Sequence, residues 1–183
     1  VGGENMNFKF AAMNEKYARE MIDNWKYGGE YSIYDYHNEE ELLLEEQKWG
    51  KEKFAVLDEK DNLVGELTTE FFDEADENSE DDGYVEIDVV KNNPDKDYQM
   101  WIGFGKRPDL TGNGLGHEFV MACVDFAVKY HNYRGDYVRL GVAEFNKRAL
   151  KAYERAGFEV FTTYNGEIAG EKLKVLWMRK KLR

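Results

Sequence analysis

Along this chain the apolar positions switch between a period of two and a period near 3.6, the spacings of strand and helix. Asn7–Met13 (NFKFAAM) alternates briefly and predicts a first strand. Asn14 then has the side chain to cap a helix over EKYAREMIDNW, which puts Ala18, Met21, Ile22 and Trp25 on one face. Tyr27–Tyr36 (YGGEYSIYDY) shows neither period and reads as irregular. His37–Gly50, with Leu42, Leu43, Leu44 and Trp49, predicts a second helix. Lys53–Leu57 and Leu63–Phe72 are apolar or alternating. The turn-forming DEKDN between them, Asp58–Asn62, makes the pair a hairpin. Tyr84–Val90 alternates with Val85, Ile87 and Val89 on one side, and Tyr98–Lys106 follows as another strand.

The second half alternates element types. A helix over about Gly114–His131 carries Phe119, Cys123, Phe126, Ala127 and Tyr130 at helical spacing. A strand over Tyr137–Ala143 and a helix over Lys147–Ala156, stopped by Gly157, come next. Two last strands, Phe158–Tyr164 and Lys172–Lys181, flank the turn NGEIAG. No repeat or linker interrupts this order. It predicts one mixed α/β domain over residues 6–183, a mixed sheet with helices on both faces. Met6 reads as a native start and residues 1–5 as a remnant ahead of it.

Composition narrows the function. With 183 residues and 42% apolar side chains, the chain can bury a full core. The 37 acidic and 25 basic side chains leave a net charge of −12, which argues against a nucleic-acid partner and suits a cationic one. The single cysteine, Cys123, cannot form an internal disulfide; a cytoplasmic setting fits. No apolar run approaches a membrane span. The run DEADENSEDDG, Asp73–Gly83, reads as a solvated loop.

One loop carries chemistry. In RPDLTGNGLGHEF, Arg107–Phe119, glycines lead from a strand into a helix. The first N–H groups of a helix lack internal partners and sit at the positive end of its dipole, so glycines there let a phosphate approach closely. The P-loop pattern fails, because His117-Glu118 stands where Lys-Ser or Lys-Thr is needed, and G-x-G-x-x-G fails at His117.

About thirty residues on stands VAEFNKRALKAYERAGF, Val142–Phe158. Together the two stretches resemble the GNAT superfamily, the acetyl-CoA-dependent N-acetyltransferases. Thr111-Gly112-Asn113-Gly114-Leu115-Gly116 matches the family's R/Q-x-x-G-x-G/A loop. Asn146, Ala149, Tyr153, Gly157 and Phe158 match its Asn-x-x-Ala-x-x-x-Tyr…Gly-Phe. The resemblance is sharp from about Trp101 to Phe158. It implies a three-layer α/β/α sandwich whose mostly antiparallel sheet splays between its fourth and fifth strands. It also implies acetyl transfer from acetyl-CoA to a primary amine, without a metal, by a monomer or homodimer. The N–H groups of Gly112–Gly116 would hold the pyrophosphate, the backbone of Phe104 and Lys106 and the Asn146 side chain would hold the pantetheine arm, and Tyr153 would protonate the leaving thiolate.

Two departures stand out. Thr111 replaces the family's Arg or Gln, a loss that Arg107 or Asn113 can make good. Gly141 occupies a position where family members often carry a glutamate base. Glu144, at the end of the same strand, is the first substitute; Glu66 and Glu70, on a neighbouring strand, are the next. The YGGEYSIYDY aromatics and Trp101 are candidates for an acceptor pocket, and His117 for a phosphate contact. Cys123 reads as packing, and His37 and His131 suggest no metal site. A non-catalytic coenzyme A-binding module and an interaction protein using the acidic loop are the alternatives.

Overall fold

A computed structural model describes residues 7–73 and 83–183, so residues 1–6 and most of the acidic run lie outside the described residues. The hairpin forms over the ranges its pattern gives: β2 is Lys53–Leu57 and β3 is Leu63–Phe72. Its turn is held by the Asp58 carboxylate, which accepts the N–H groups of Lys60 and Asn62, each at 2.9 Å. β1 (Lys9–Ala12) pairs antiparallel with β2. Asn14 caps α1 (Glu15–Asn24) by accepting the Tyr17 N–H at 2.9 Å.

β5 (Gln99–Lys106) runs antiparallel to the whole upper length of β3. The chain then forms α4 (Gly116–Tyr130), β6 (Tyr137–Ala143), α5 (Lys147–Arg155), β7 (Glu159–Ile168) and β8 (Glu171–Lys181). The sheet order is β1-β2-β3-β5-β6-β8-β7, with the two-residue β4 (Tyr84–Val85) on β3. All pairings are antiparallel except β5 with β6. That pair meets only at Met100–Val138 and Trp101–Arg139, then opens.

Strand alternation distributes side chains to the two faces. Leu67, Phe71, Met100, Val138 and Leu140 pack against Phe119, Val120, Cys123, Val124 and Ala127 of α4 and Leu150 of α5. On the opposite face Ala55 and Leu57 pack with Ala18, Met21 and Ile22 of α1, Trp25 and Leu43. The expected three-layer sandwich with an open, mostly antiparallel sheet is the observed fold. No described helix is long and apolar enough to cross a membrane.

Three element predictions need correction. His37–Gly50 is not one helix but short turns around α2 (Glu40–Leu43). The Trp49 indole N–H donates to the Leu43 carbonyl at 3.0 Å and folds the chain back there, and acidic Glu45 and Glu46 oppose the negative end of a longer helix. Tyr84–Val90 is a strand only as β4, then turns into α3 (Ile87–Asn92). β2 covers β3 as far as Thr68, and the Thr69 N–H goes to the Glu52 carbonyl at 2.8 Å, so only Phe71 and Phe72 remain to pair. The NGEIAG turn shrinks to Ala169-Gly170, both at positive φ, because Asn165–Ile168 stay paired with β8.

Candidate active site

The opening between β5 and β6 continues into a cavity of about 550 Å³ that spans the splay and the face carrying α1 and α2. Its walls come from sequence-distant pieces: the tyrosine-rich segment, β3, β5, the glycine loop, the end of β6 and α5.

On the β5 side the main chain is left free. The Arg107 N–H donates to the Val64 carbonyl at 2.8 Å, toward β3. By strand alternation Phe104 and Lys106 turn their main-chain groups toward the gap. The Lys106 carbonyl accepts the Tyr27 hydroxyl at 2.8 Å, so the groups left there are those of Phe104 and the Lys106 N–H.

The glycine loop sits at one end. Gly112 and Gly114 have φ of 76° and 83°, a left-handed conformation that strains other residues. The helix then starts at Gly116 with no side-chain cap, leaving its first N–H groups free. A side chain on Gly116 would bring its Cβ within 3.0 Å of the Ala152 Cβ, so this glycine also lets α4 and α5 approach. Thr111, Gly112 and Gly116 line the cavity; Asn113, Gly114 and Leu115 do not. The Asn113 side-chain amide oxygen accepts from the Leu115 N–H at 3.3 Å and the Lys106 ammonium at 3.4 Å, which tightens the loop.

Arg107 is engaged away from the loop. It forks onto Asp109 at 2.7 and 3.2 Å and donates to the Leu63 carbonyl at 3.1 Å. Arg148 reaches the loop instead. Its guanidinium lies 4.0 Å from the centre of the Tyr31 ring and donates to the Thr111 hydroxyl at 3.5 Å. Sequence reasoning missed it, although it lies inside the second motif, two residues after Asn146. Asn146 itself lines the cavity and caps α5, accepting the Ala149 N–H at 3.2 Å.

Tyr153 lies between Phe104 and Phe158, with ring centroids 5.8 and 6.1 Å away, and borders the cavity. Its hydroxyl has no hydrogen-bond partner among the described residues. Burial pushes its pKa far above the ordinary tyrosine value, so the hydroxyl keeps its proton.

Glu66 is a buried carboxylate of the cavity wall, which Asp35 and Glu39 also line. It is 8% exposed, and its two oxygens accept the Tyr36 hydroxyl at 3.2 Å and the Thr68 hydroxyl at 3.1 Å. Burial raises its pKa above the usual carboxylate range, and the charge of Lys53 works against that rise. Room for this arrangement comes from Gly105, where a Cβ would collide with the Tyr36 hydroxyl. Glu144 stays outside the cavity, half-exposed and 3.0 Å from the Lys174 ammonium on β8. Glu70 does not line the cavity either. Of the aromatic candidates, Tyr27, Tyr31, Tyr34 and Tyr36 line it, whereas Trp101 packs on Trp177 and Phe72. His117 lies off it. Cys123 is buried in the α4 core. Among the described residues no group of three or more His, Cys, Asp or Glu is placed to hold a metal.

Comparison with known proteins bears on this geometry. Residues 13–158 match the model of the acetyltransferase (GNAT) family. No curated protein matches the sequence. Among solved structures, a spermidine N-acetyltransferase chimera from Vibrio cholerae and the human enzyme superposes with a TM-score of 0.61 at 18% identity, covering 95% of each chain. A GNAT-family acetyltransferase from Bacillus anthracis gives 0.63 at 11% identity, covering 99% of this chain and 97% of that one. A candidate phosphinothricin N-acetyltransferase gives 0.63 at 13%, covering 97% and 99%.

Proposed function

The chain belongs to the GNAT family of acetyltransferases, and from that premise we propose that it transfers an acetyl group from acetyl-CoA directly to a primary amine. The observation that carries this reading is the unpartnered, proton-retaining hydroxyl of Tyr153 at the wall of the β5–β6 opening, with the Glu66 carboxylate across the same cavity.

Acetyl-CoA supplies an acetyl group activated as a thioester. The free N–H groups at the start of α4 and the Arg148 guanidinium would hold its pyrophosphate. Arg148 takes over the charge that Thr111 lacks. The main chain of Phe104 and the Lys106 N–H would pair with the pantetheine arm, alongside Asn146. An N–H directed into the gap also stabilises negative charge that develops on a carbonyl oxygen there. The incoming amine is an ammonium ion near neutral pH. Glu66 binds it as a carboxylate and takes its proton, a role that its raised pKa suits. Tyr153 donates a proton to the departing sulfur, because desolvation keeps its hydroxyl neutral. Holding both reactants in one cavity does the remaining work. Spermidine and phosphinothricin N-acetyltransferases among the structural neighbours are in keeping with an amine acceptor.

Free-thiol release from acetyl-CoA in the presence of an amine panel tests this. Steady release that requires an amine and falls in Tyr153→Phe supports it. Tight coenzyme A binding without release for any amine would leave a non-catalytic binding module instead.

A further inference from the structure

The acceptor half of the cavity contains a second charge that the transfer itself does not use. Lys53, at the start of β2, is 8% exposed and lines the cavity. Its ammonium makes no hydrogen bond and no ion pair among the described residues; its electrostatic partners are Glu66 and, more weakly, Glu52. The residue is buried overall, but its ammonium opens into the cavity and does not collapse onto Glu66. Register explains why the two charges are near yet apart. Lys53 faces Thr68 across the ladder, and Glu66 faces Ala55, so the two side chains stand on one face of the sheet at diagonal positions. Glu66 is held in place by hydroxyl donors on both oxygens, from Tyr36 and Thr68.

The neighbouring strand keeps this face open. Gly103 and Gly105 of β5 oppose Thr68 and Glu66. A Cβ at Gly103 would meet only the Thr68 Cβ at 3.8 Å, so the absence of a side chain there leaves space beside the two charges. The cavity floor therefore offers a fixed anion and an unsatisfied cation on one open surface. A ligand that answers both carries an ammonium and an oxyanion on the same molecule.

We propose that the acceptor is an amino acid or a close relative, its amine held by Glu66 and its carboxylate, or an equivalent oxyanion, held by the Lys53 ammonium. This rests on the acetyl-transfer reading and deepens it. A simple amine or a polyamine satisfies Glu66 and leaves Lys53 unpaired. The chemistry of transfer is unchanged: the ammonium gives one proton to Glu66, which passes it to solvent, the neutral nitrogen bonds to the acetyl carbon, the carbon–sulfur bond breaks, Tyr153 protonates the sulfur, and the second nitrogen proton restores the Tyr153 hydroxyl.

The test is a matched panel of free amino acids, their amides and the corresponding amines without the acid group. Thiol release is measured with the wild type, Lys53→Met and Lys53→Arg, and acceptor binding to the coenzyme A complex is measured by calorimetry. We expect the wild type to favour the free acids over their amides by at least tenfold in kcat/KM. Lys53→Met raises KM for the acids about tenfold, leaves the amides unchanged and keeps the coenzyme A affinity; Lys53→Arg retains the preference. Wild-type turnover of amides, amines or polyamines as good as that of the acids overturns the proposal while leaving acetyl transfer standing. So does an acid preference that survives in Lys53→Met. If that variant does not fold, the wild-type panel and Lys53→Arg decide. No thiol release with any acceptor strikes the acetyl-transfer reading instead.

Discussion

In the proposed mechanism Tyr153 and Glu66 divide the proton chemistry, and their roles set opposite demands on pH. Tyr153→Phe keeps the ring packing against Phe104 and Phe158 and removes the proton donor. Its expected effect is a fall in kcat of about 100-fold with coenzyme A affinity nearly unchanged; equal loss of both would make the tyrosine a packing residue. Glu66 must be ionised to accept a proton, so activity falls as the pH drops through its raised pKa. A pH–rate profile of Glu66→Gln should lose that acidic limb along with most of the activity. His131 offers an independent check on burial. Desolvation lowers its pKa to about 4, and its ring nitrogen meets the Thr69 hydroxyl at 2.9 Å. The folded protein thus holds the neutral ring. The associated stability is present above the unfolded value of about 6.5 and is lost as the pH falls toward 4. Urea unfolding should show the advantage of wild type over His131→Phe shrinking by about 3 kcal/mol across that window. Of the residues lining the candidate site, Tyr153, Asn146, Gly112 and Gly116 were legible because they fall in short motifs. Glu66 and Lys53 were harder to place, since their roles depend on Tyr36 and on strand register, contacts between residues far apart in sequence. Arg148 was within reach: it stands in the first turn of α5, facing the loop.

At the scale of elements, the accuracy of the reading follows what local sequence controls. β2 and β3 were read to the residue because alternation and the Asp58 turn act locally. α1, α4 and α5 were read closely because their apolar faces are local, as are the Asn caps of α1 and α5. β4 and α3 were misread because their boundary is set by how much of the β3 edge β2 leaves uncovered. The Asn165-Gly166 turn signal gave way to a two-residue turn because Gly166 pairs with Leu173. Two elements meet at the anion end of the site, where Gly116 lets α4 approach α5. Gly116→Val should cost about 1–3 kcal/mol of stability by wedging them apart. It should weaken coenzyme A binding at the same time. Denaturant unfolding and calorimetry on the same preparation check this, and unchanged binding would mean that the start of α4 is not the phosphate site.

At the scale of the whole molecule, one sheet serves two purposes by having a different core on each face. The α4 and α5 face closes over the larger apolar cluster, and the cavity runs from the start of those helices through the splay to the tyrosines on the α1 face. The parallel β5–β6 contact at two registers is what joins the halves and what opens the slot. A ligand bound in that slot touches both halves, so it should stabilise the protein as a unit: at 100 times its Kd, coenzyme A adds about 2.7 kcal/mol. The most direct measurement is a calorimetric titration of acetyl-CoA into the wild type and into Arg148→Ala. Saturable binding at one site, weakened about tenfold in Arg148→Ala, or about 1.4 kcal/mol, is the predicted result. No saturable binding by the wild type at millimolar acetyl-CoA would contradict the account.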